Sequence, residues 1–396
     1  MTSEWNHFAL GEITELVIDY RGKTPKKLGG DWCKQGYRAL SAKNIKTGRI
    51  VQAETIRYID ESLYRKWMKD EVQRGDILIT SEAPFGQIFF WDSDEKIVLS
   101  QRLFCVRIKP EYDARFIYYY MTTPEFQSEL DGRATGTTVI GLRQPELMKC
   151  VIRCPEIQDQ KVIAAILSSI DAKIIANEKV NDNLQQQALA IFRQELLRDG
   201  DLPEGWKTGS LLDIANYLNG LAMQKFRPVE GETGLPVLKI KELRQGSCDA
   251  SSELCSPGIM PEYIVHDGDV IFSWSGSLLV DLWCGGTCGL NQHLFKVTSA
   301  KYPKWFYYAW TAHHLARFVA IAADKATTMG HIKREELAKA EVIIPDAASM
   351  DRIGGMLQPL YDLIISNRIE NRKLAALRDT ILPQLMSGEL DVSELD

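Results

Sequence analysis

Two long segments of the chain carry apolar residues at alternating intervals of four and three. The first segment runs from Ile163 to Ile191, and the second runs from Ile353 to Ile381. This spacing is typical of a coiled-coil seam, in which each helix needs a partner helix and the other copy is the nearest candidate. The predicted pairing positions are Ile163, Leu167, Ile170, Ile174, Asn177, Asn181 and Leu184 in the first helix, and Ile353, Leu357, Leu360, Ile364, Asn367, Asn371 and Leu374 in the second.

Two asparagines interrupt each seam at matched positions. Asparagine within a seam lowers stability but fixes the register and the choice of partner. The alternative is that these side chains face solvent at a bend of the helix. Their duplication in both copies favours a specified pairing. The first pattern covers residues 158–198, which predicts a rod of about 60 Å at about 1.5 Å per residue.

The segments that precede the two helices also match each other. The apolar stretch 75–79 matches 268–272, and Gln-Arg-Leu-Phe at 101–104 matches Gln-His-Leu-Phe at 292–295. Gly-Asp turns at the start of apolar stretches indicate strands. The chain is therefore predicted to be an α+β protein with an internal pseudo-two-fold repeat. The predicted segments are a first globular domain at 1–155, a first spacer helix at 156–200, a second domain at 201–347 and a second helix at 348–396.

The composition is that of a globular protein of the cytoplasm. Apolar residues make up 45% and charged residues 25% of the 396 positions, which are ordinary values. The start of the chain lacks the basic and apolar regions of a signal peptide, and the least charged stretch, 270–290, is too polar for a bilayer helix. We therefore expect no membrane association, and we expect the eight cysteines to be reduced thiols.

The charge is distributed unevenly along the chain. The net charge of −6 argues against a protein that coats DNA without sequence preference. Between residues 21 and 57, however, ten lysines and arginines stand against two acidic residues. A locally basic face on an acidic chain fits a DNA-reading subunit of a larger assembly.

Common catalytic motifs are missing from the sequence. It has no GxxxxGK[ST] phosphate loop, no HExxH pair and no recognisable methyl-donor site. Cys284 and Cys288, with His293 nearby, are the best metal candidates, but structural zinc sites use tighter loops. Acidic pairs such as Asp92/Asp94 and Asp267/Asp269 could bind a divalent ion in a nuclease, but Asp76 and Asp269 follow glycine at the start of apolar strands, where Gly-Asp is ordinary turn chemistry. We therefore predict no catalytic site and no metal, and the adjacent histidines 313 and 314 are expected on a domain surface.

Several motifs, in a fixed order, resemble those of one known family. They are the half-repeat Gly-Asp-Ile-Leu-Ile at 75–79, the segment from Glu156 to Leu167, Leu-Pro-Glu-Gly-Trp-Lys at 202–207, and the stretch 377–390 that ends in Met-Ser-Gly-Glu-Leu. Over essentially its full length the chain resembles the DNA-specificity (S) subunit of type I restriction-modification enzymes. One matched position departs from the family pattern. Before the first long helix the chain has Pro-Glu at 155–156, followed by glutamines, whereas before the second long helix it has Pro-Asp-Ala-Ala-Ser from residue 345.

The resemblance implies a fold, a function and partners. It implies two target recognition domains separated by two antiparallel coiled-coil helices, with each domain reading one half of a split, asymmetric site in double-stranded DNA. It also implies two methyltransferase subunits docked on the helices, and restriction/translocase subunits in the complete complex. Catalysis would belong to the complex. S-adenosylmethionine, ATP and Mg would accordingly be bound by partner subunits, and this chain would bind no cofactor.

Basic and amide side chains in the two domains are the predicted DNA contacts. Lysine and arginine anchor phosphates or reach guanine, and asparagine reads adenine edges. Lys43 and Lys241 occupy matched repeat positions, which favours a phosphate contact there. In the first domain the candidates are Arg21, Lys23, Thr24, Lys26, Lys27, Arg38, Lys43, Asn44 and Lys46. In the second domain they are Gln224, Lys225, Arg227, Lys239, Lys241 and Arg244.

Two threonine pairs complete the predicted contacts. They are Thr137 and Thr138 in the first domain, and Thr327 and Thr328 in the second. Their hydroxyl groups would hold phosphates, or, equally, the loops would be turns that tie each domain to its helix.

Two other classes of function stay open on the sequence alone. One is a coiled-coil scaffold that joins protein partners without touching nucleic acid, which the basic segment of the first domain disfavours. The other is a stand-alone nuclease or deaminase that uses the cysteines and acidic residues.

Overall fold

A computed structural model of the chain describes residues 5–136, 140–197, 200–324 and 332–392. The chain forms two compact units, one made of residues 1–171 and 376–396 and the other of residues 172–375. Each unit contains one globular domain together with part of both long helices. The division into four consecutive segments drawn from the sequence stays a prediction. No helix in the described ranges is long and apolar enough to cross a bilayer.

The first domain mixes short strands with short helices. Its strands are β1 (Asn6–Ala9), β2 (Thr14–Ile18), β3 (Tyr37–Leu40), β4 (Ile45–Lys46), β5 (Arg49–Ile50), β6 (Arg57–Ile59), β7 (Ile77–Thr80), β8 (Ile88–Phe90), β9 (Ile97–Leu99), β10 (Leu103–Ile108) and β11 (Val151–Cys154). Its helices are α1 (Leu10–Ile13), α2 (Glu61–Trp67), α3 (Ala114–Met121), α4 (Pro124–Arg133) and α5 (Gln144–Leu147), and the first long helix, α6 (Ile157–Leu196), follows.

The second domain repeats this order with small changes. Its strands are β12 (Lys207–Ser210), β13 (Asn216–Asn219), β14 (Leu235–Leu238), β15 (Leu254–Cys255), β16 (Ile264–Val265), β17 (Val270–Ser273), β18 (Leu279–Leu282), β19 (Cys288–Leu290), β20 (Leu294–Thr298) and β21 (Glu341–Ile344). Its helices are α7 (Leu211–Ile214), α8 (Ile240–Gln245), α9 (Lys304–His313), α10 (Leu315–Asp324) and α11 (Arg334–Ala338), and the second long helix, α12 (Ala347–Ser387), follows.

The two domains share most of their sheet topology. An antiparallel four-stranded sheet has the order β2-β10-β7-β8 in the first domain and β13-β20-β17-β18 in the second. A second sheet is built around a parallel pair, β3 with β9 or β14 with β19. A two-stranded sheet joins the start of each domain to the strand before the long helix, β1 with β11 or β12 with β21. These matches confirm the predicted α+β fold with two similar domains.

The central strands are apolar along their whole length because both faces of the sheet are buried. In β7, Ile77 and Ile79 pack with the helices of the first domain, whereas Leu78 faces the cluster around the second sheet. In β17 of the second domain, Val270 and Phe272 lie on one side and Ile271 on the other. Alternation with a period of two along a strand buried on both faces produces this pattern.

The acidic residue of each Gly-Asp turn pairs with a cation on the neighbouring strand. Asp76 is almost fully buried and lies 2.9 Å from Arg107, and Asp269 lies 2.9 Å from Lys296. These contacts hold the carboxylates within the sheet. Their role is therefore structural.

The long helices pair through the asparagines in the second unit. Asn177 donates to the Oδ1 of Asn371 at 2.8 Å, and Asn367 donates to the Oδ1 of Asn181 at 2.9 Å. The contact of Asn181 lies four residues later in α6 than that of Asn177, and its partner lies four residues earlier in α12, so the helices run antiparallel in this unit. Asn177 and Asn181 are buried, which excludes the alternative that they face solvent at a bend.

The apolar seam positions pack against the domains as well as against each other. In the first unit, Ile163 and Leu167 share a core with Leu385 and Met386 from the end of α12 and with strands of the first domain. In the second unit, Leu184, Ile353, Leu357 and Ile364 lie in the core of the second domain, and Leu360 packs against it. Ile170 is buried, and Ile174 and Leu374 are half-buried. Each domain is thus anchored on the helices by the residues that form the seam.

Candidate nucleic-acid interface

The turn between β9 and β10 projects two polar side chains from the first domain. Its backbone is held on both sides, because the carbonyl of Gln101 accepts from the amide of Ala42 and the carbonyl of Arg102 accepts from Ser81. Arg102 has a φ of 65°, in the left-handed region. For a residue with a side chain this conformation costs on the order of 1–3 kcal/mol, and such strain is concentrated at functional sites.

Arg102 lines an open cleft of about 380 Å³, which we call the first cleft. The Nε of Arg102 lies 3.0 Å from the Oε1 of Glu82, and 47% of the Arg102 side chain stays exposed. The cleft is lined by Asp19, Arg21, Gly22, Glu82, Gln101 and Arg102. Basic, acidic and amide groups therefore face one solvent-filled space.

The second domain has a cleft at the matched turn, between β19 and β20. The cleft has a volume of about 450 Å³, and we call it the second cleft. His293 lies in it, with its Nδ1 3.1 Å from the Oγ of the buried Ser275 and its ring 6.3 Å from that of Trp274. Its polar lining consists of Gln224, Arg227, Lys239, Lys241, Glu253, Asn291, Gln292 and His293.

Strand registers show that the turns β9–β10 and β19–β20 are equivalent. Leu103 pairs with Thr80 in the first domain, and Leu294 pairs with Ser273 in the second. In the first domain, Arg102 precedes Leu103 and Glu82 lies two residues after Thr80. In the second domain, His293 precedes Leu294 and Ser275 lies two residues after Ser273. The Glu82–Arg102 ion pair and the Ser275–His293 contact therefore occupy the same position in the two domains.

Gly220 allows the turn of the second cleft to come close to the preceding loop. The amide of Leu221 donates to the carbonyl of Leu290, and the amide of Gln292 donates back to the carbonyl of Leu221, both at 2.9 Å. A Cβ atom on Gly220 would lie 2.3 Å from the carbonyl oxygen of Asn291. Only glycine fits at this position.

Several predicted contacts of the first domain are engaged within the fold. Arg21 forms an ion pair with Asp19 at 2.8 Å and lies over the ring of Phe104, but its side chain lines the first cleft. Lys23 donates to the carbonyl of Trp67 at 2.6 Å, and burial lowers the pKa of its ammonium group. Lys27 donates to the carbonyl of Gly22. The hydroxyl of Thr24 accepts from the backbone of Lys27, whereas Lys26 is exposed.

The next predicted group divides into exposed and engaged residues. Lys43 and Lys46 are exposed, and Lys43 follows Ala42, whose amide donates to the turn of the first cleft. Arg38 forms an ion pair with Glu95. Lys43 is therefore the candidate of this group that lies next to the first cleft with its ammonium group free to reach solvent.

The prediction that Asn44 reads adenine edges is wrong. Asn44 is only 1% exposed. Its Oδ1 accepts from the backbone and the hydroxyl of Ser41, and its Nδ2 donates to the hydroxyl of Thr55. The amide caps a short helical turn and has no group left for a base.

The second cleft collects four of the six residues predicted in the second domain. Arg227 and Lys239 both contact Glu253, and Lys241 donates to the hydroxyl of Ser251 at 2.8 Å. Gln224 lines the same space. The remaining two, Lys225 and Arg244, are exposed but do not line the second cleft.

The four predicted threonines, Thr137, Thr138, Thr327 and Thr328, lie outside the described residues. The segments that follow them are described. Leu142 donates its amide to the carbonyl of Ser81, and Ile332 donates to the carbonyl of Trp274. The accepting residues, Ser81 and Trp274, directly precede Glu82 and Ser275, so the two bonds are matched between the domains.

Sequence reasoning did not select the residues of the two turns. These are Gln101 and Arg102 in the first domain, and Asn291, Gln292 and His293 in the second. The signal was present, because the repeat aligns Gln-Arg with Gln-His. Strand register was needed to show that Glu82 and Ser275 face these side chains.

Other groups considered for chemistry have structural partners. Asp92 and Asp94 both pair with Arg74, and Asp267 pairs with Arg372, which lowers the pKa of that carboxyl. Burial raises the pKa of the Cys150 and Cys154 thiols to about 12. Within the described ranges, no cluster of three or more histidine, cysteine or acidic side chains has a metal-binding arrangement.

The prediction that both histidines of the 313/314 pair lie on a domain surface is wrong for one of them. His314 is 9% exposed, its Nε2 lies 2.8 Å from the carbonyl of Glu341, and its ring lies close to that of Trp310. His313 is exposed. The α9–α10 junction is therefore part of the core of the second unit.

Comparison with known proteins identifies the family. The model of the type I restriction modification DNA specificity domain matches residues 2–186 and 203–377. The chain is 25% identical over 344 residues to the MjaIX specificity subunit of Methanocaldococcus jannaschii, an alignment that covers 81% of this chain and 79% of the relative. It is 24% identical over 314 residues to the EcoKI specificity subunit of Escherichia coli K12, and this alignment covers 73% of this chain and 65% of the relative.

A solved structure shows the same fold. It is the crystal structure of the S subunit of a type I restriction-modification system from M. genitalium, which is 14% identical. The two folds superpose with a TM-score of 0.61, over 97% of this chain and 96% of that one. Specificity subunits are non-catalytic, and the catalytic activity of these systems lies in other subunits. With its two matched domains, the chain belongs to the type I restriction-modification DNA specificity family and is a specificity subunit of such a system.

Proposed function

We propose that this subunit recognises a bipartite, asymmetric site in double-stranded DNA, with each domain reading one half. The observation that carries the proposal is the pair of equivalent turns, β9–β10 and β19–β20, each of which lines an open cleft with different polar groups. The first cleft presents Glu82 and Arg102, and the second presents His293, whose ring contacts the buried Ser275. Two similar frames with different side chains fit two half-sites of different sequence.

The charge around the clefts fits this use. Lys43 and Lys46 are exposed in the first domain, and Arg227, Lys239 and Lys241 surround the second cleft. Lysine and arginine at the edge of a base-reading site position the protein on the phosphates, whereas the groups within the site carry the sequence preference. The acidic net charge of −6 then keeps non-specific binding weak.

We further propose that the long helices scaffold two methyltransferase subunits, and that restriction/translocase subunits complete the complex. S-adenosylmethionine, ATP and Mg would be bound by those partners and not by this chain. The two long helices carry exposed apolar side chains that would be available to such partners. They are Ile157, Ile175, Val180, Leu189, Leu363 and Leu377.

The experiment that tests the proposed function is a map of methylated adenines in the host genome, with and without this gene. The expected result is a motif of two fixed blocks separated by a gap, which disappears on deletion. An unchanged methylation map in a strain that expresses the intact gene would contradict the proposal. Association of the partner subunits without any DNA binding would favour the coiled-coil scaffold.

A further inference from the structure

We propose that Arg102 and His293, with their partners Glu82 and Ser275, are matched specificity determinants that set the base preference of one half-site each. This inference rests on the proposed function and assigns its base-reading groups. The four residues occupy equivalent positions in the two domains, as the strand registers require, and Arg102 and His293 each line a cleft. The expected ligands are the edges of base pairs in double-stranded DNA.

Hydrogen bonds next to these positions are matched in the two domains while the side chains differ. The carbonyl of Ser81, next to Glu82, accepts from the amide of Leu142, and the carbonyl of Trp274, next to Ser275, accepts from the amide of Ile332. The residue before Arg102 or His293 is glutamine in both turns. The pairs 82/102 and 275/293 thus differ between the domains although they occupy matched positions beside a conserved glutamine.

This distribution separates base reading from phosphate binding. Phosphates are the same in every half-site, so a phosphate contact is expected to use the same residue type in both domains. Lys43 and Lys241 meet that description, because they are matched lysines. Position 102/293 changes from a guanidinium to an imidazole, which alters the hydrogen-bonding groups offered to a base.

The first cleft fits a G·C pair. Arginine binds guanine O6 and N7 through two parallel hydrogen bonds, and glutamate accepts from cytosine N4. Arg102 and Glu82 offer both groups side by side, with Nε and Oε1 3.0 Å apart. A carboxylate next to phosphates would be repelled, so Glu82 is better placed toward a base edge than toward the DNA backbone.

The second cleft offers a different combination. The neutral imidazole of histidine offers one donor and one acceptor nitrogen, in contrast to the donors of arginine. The Oγ of Ser275 orients the His293 ring at 3.1 Å, and the Oδ1 of Asn291 accepts from the backbone amide of His293 at 3.2 Å. The ring is therefore held by the fold before DNA binds. The second cleft therefore offers a base a different set of groups from the arginine and glutamate of the first cleft.

The test exchanges the two residues in the complete methyltransferase complex. Arg102→His and His293→Arg are assembled separately with the partner subunits, and the methylated motif is mapped for each. We expect Arg102→His to change the preference at a base pair of one half-site by about ten- to a hundredfold and to leave the other half unchanged. His293→Arg should change only the opposite half.

Matched controls separate local from general effects. Arg65→His alters an exposed arginine on α2 that pairs with Glu61, and His266→Arg alters an exposed histidine that does not line the second cleft. Both controls should keep the wild-type motif. If an exchange prevents assembly, Arg102→Lys and His293→Gln replace it, and they should relax the preference in the same half.

The outcomes distinguish this inference from the proposed function. A split wild-type motif that stays unchanged in all four variants of 102 and 293 overturns the inference and leaves the proposed function intact. A uniform loss of binding across sequences, with a shallower salt dependence, also overturns it, because it shows a phosphate contact. A wild-type complex without a split motif overturns both.

Discussion

Asn367 donates its side-chain amide to the Oδ1 of Asn181 at 2.9 Å, and both side chains are more than nine-tenths buried. One turn along, Asn177 bonds to Asn371 and Glu370 at 2.8 and 2.7 Å. In an apolar seam these amides are satisfied only in one alignment of the helices. A shift by one helical turn would bury them against apolar groups, so they specify the antiparallel register.

The first prediction concerns this pair. Asn181→Leu leaves the amide of Asn367 buried without its partner, which should lower the free energy of unfolding by about 1–3 kcal/mol. The double variant Asn181→Leu/Asn367→Leu removes both polar groups, so it should recover most of that loss. Urea denaturation of Asn181→Leu, Asn367→Leu and the double variant measures the coupling free energy between the two side chains. Additive losses in the double variant would show that the two residues do not interact.

The second prediction concerns Lys43. Lys43→Ala should weaken DNA binding of the assembled complex for all sequences alike, because a phosphate contact carries no sequence information. The slope of log K against log salt concentration should fall by about one. Fluorescence anisotropy over a salt titration measures both quantities. Lys66→Ala, at an exposed position on α2, is the control, and an equal effect in the control would remove Lys43 from the interface.

The third prediction concerns Gly220. Gly220→Ala places a methyl group 2.3 Å from the carbonyl oxygen of Asn291, so the turn that carries Gln292 and His293 must move. We expect recognition of one half-site to weaken while the other is retained, as read from binding to duplexes altered in one half. Gly355→Ala, where a methyl group meets nothing within 4 Å, is the matched control. Normal recognition of both halves by Gly220→Ala would contradict the predicted role of this turn.

The fourth prediction concerns pH. Burial lowers the pKa of His314 from its ordinary value of 6.5. The unfolded chain therefore takes up a proton at a higher pH than the folded chain does, and stability decreases as the pH falls below about 6.5. His314→Gln keeps a donor near the carbonyl of Glu341 without the titration, so it should flatten thermal stability between about pH 6.5 and 5.

The control for this effect is His266→Gln, which alters an exposed histidine. It should leave the pH dependence as in the wild type. Partial desolvation and the nearby Arg193 also lower the pKa of the neighbouring, solvent-exposed His313, so part of the dependence should remain in His314→Gln. An unchanged profile in His314→Gln would show that this histidine is not held neutral in the fold.

The sequence predicted the large features because they depend on periodicity. Intervals of four and three over eight steps leave few structures other than a long helix with an apolar seam. Matched apolar stretches such as 75–79 and 268–272 indicate duplicated strands. These signals are local or repeated, and they need no knowledge of which residues meet in space.

The contacts of individual polar side chains could not be predicted in the same way. Lys23 bonds to the carbonyl of Trp67, 44 residues later, and Asn44 is buried by the turn that begins at Ser41. In the sequence both looked like solvated groups of a basic loop. Glu82 and Arg102 come together only through the register of β7 and β10, which composition and spacing do not reveal.

The central claim is that each cleft lies on a different half of the DNA site. The most direct measurement introduces a photoreactive benzoylphenylalanine at Gln101 or at Gln292 in the assembled complex and maps the crosslinked nucleotides on a duplex that carries the methylated motif. The account predicts crosslinks from position 101 to one half-site only and from position 292 to the other, with none from a probe at Lys66. Crosslinks from both positions to the same half-site, or from neither position to DNA, would contradict it.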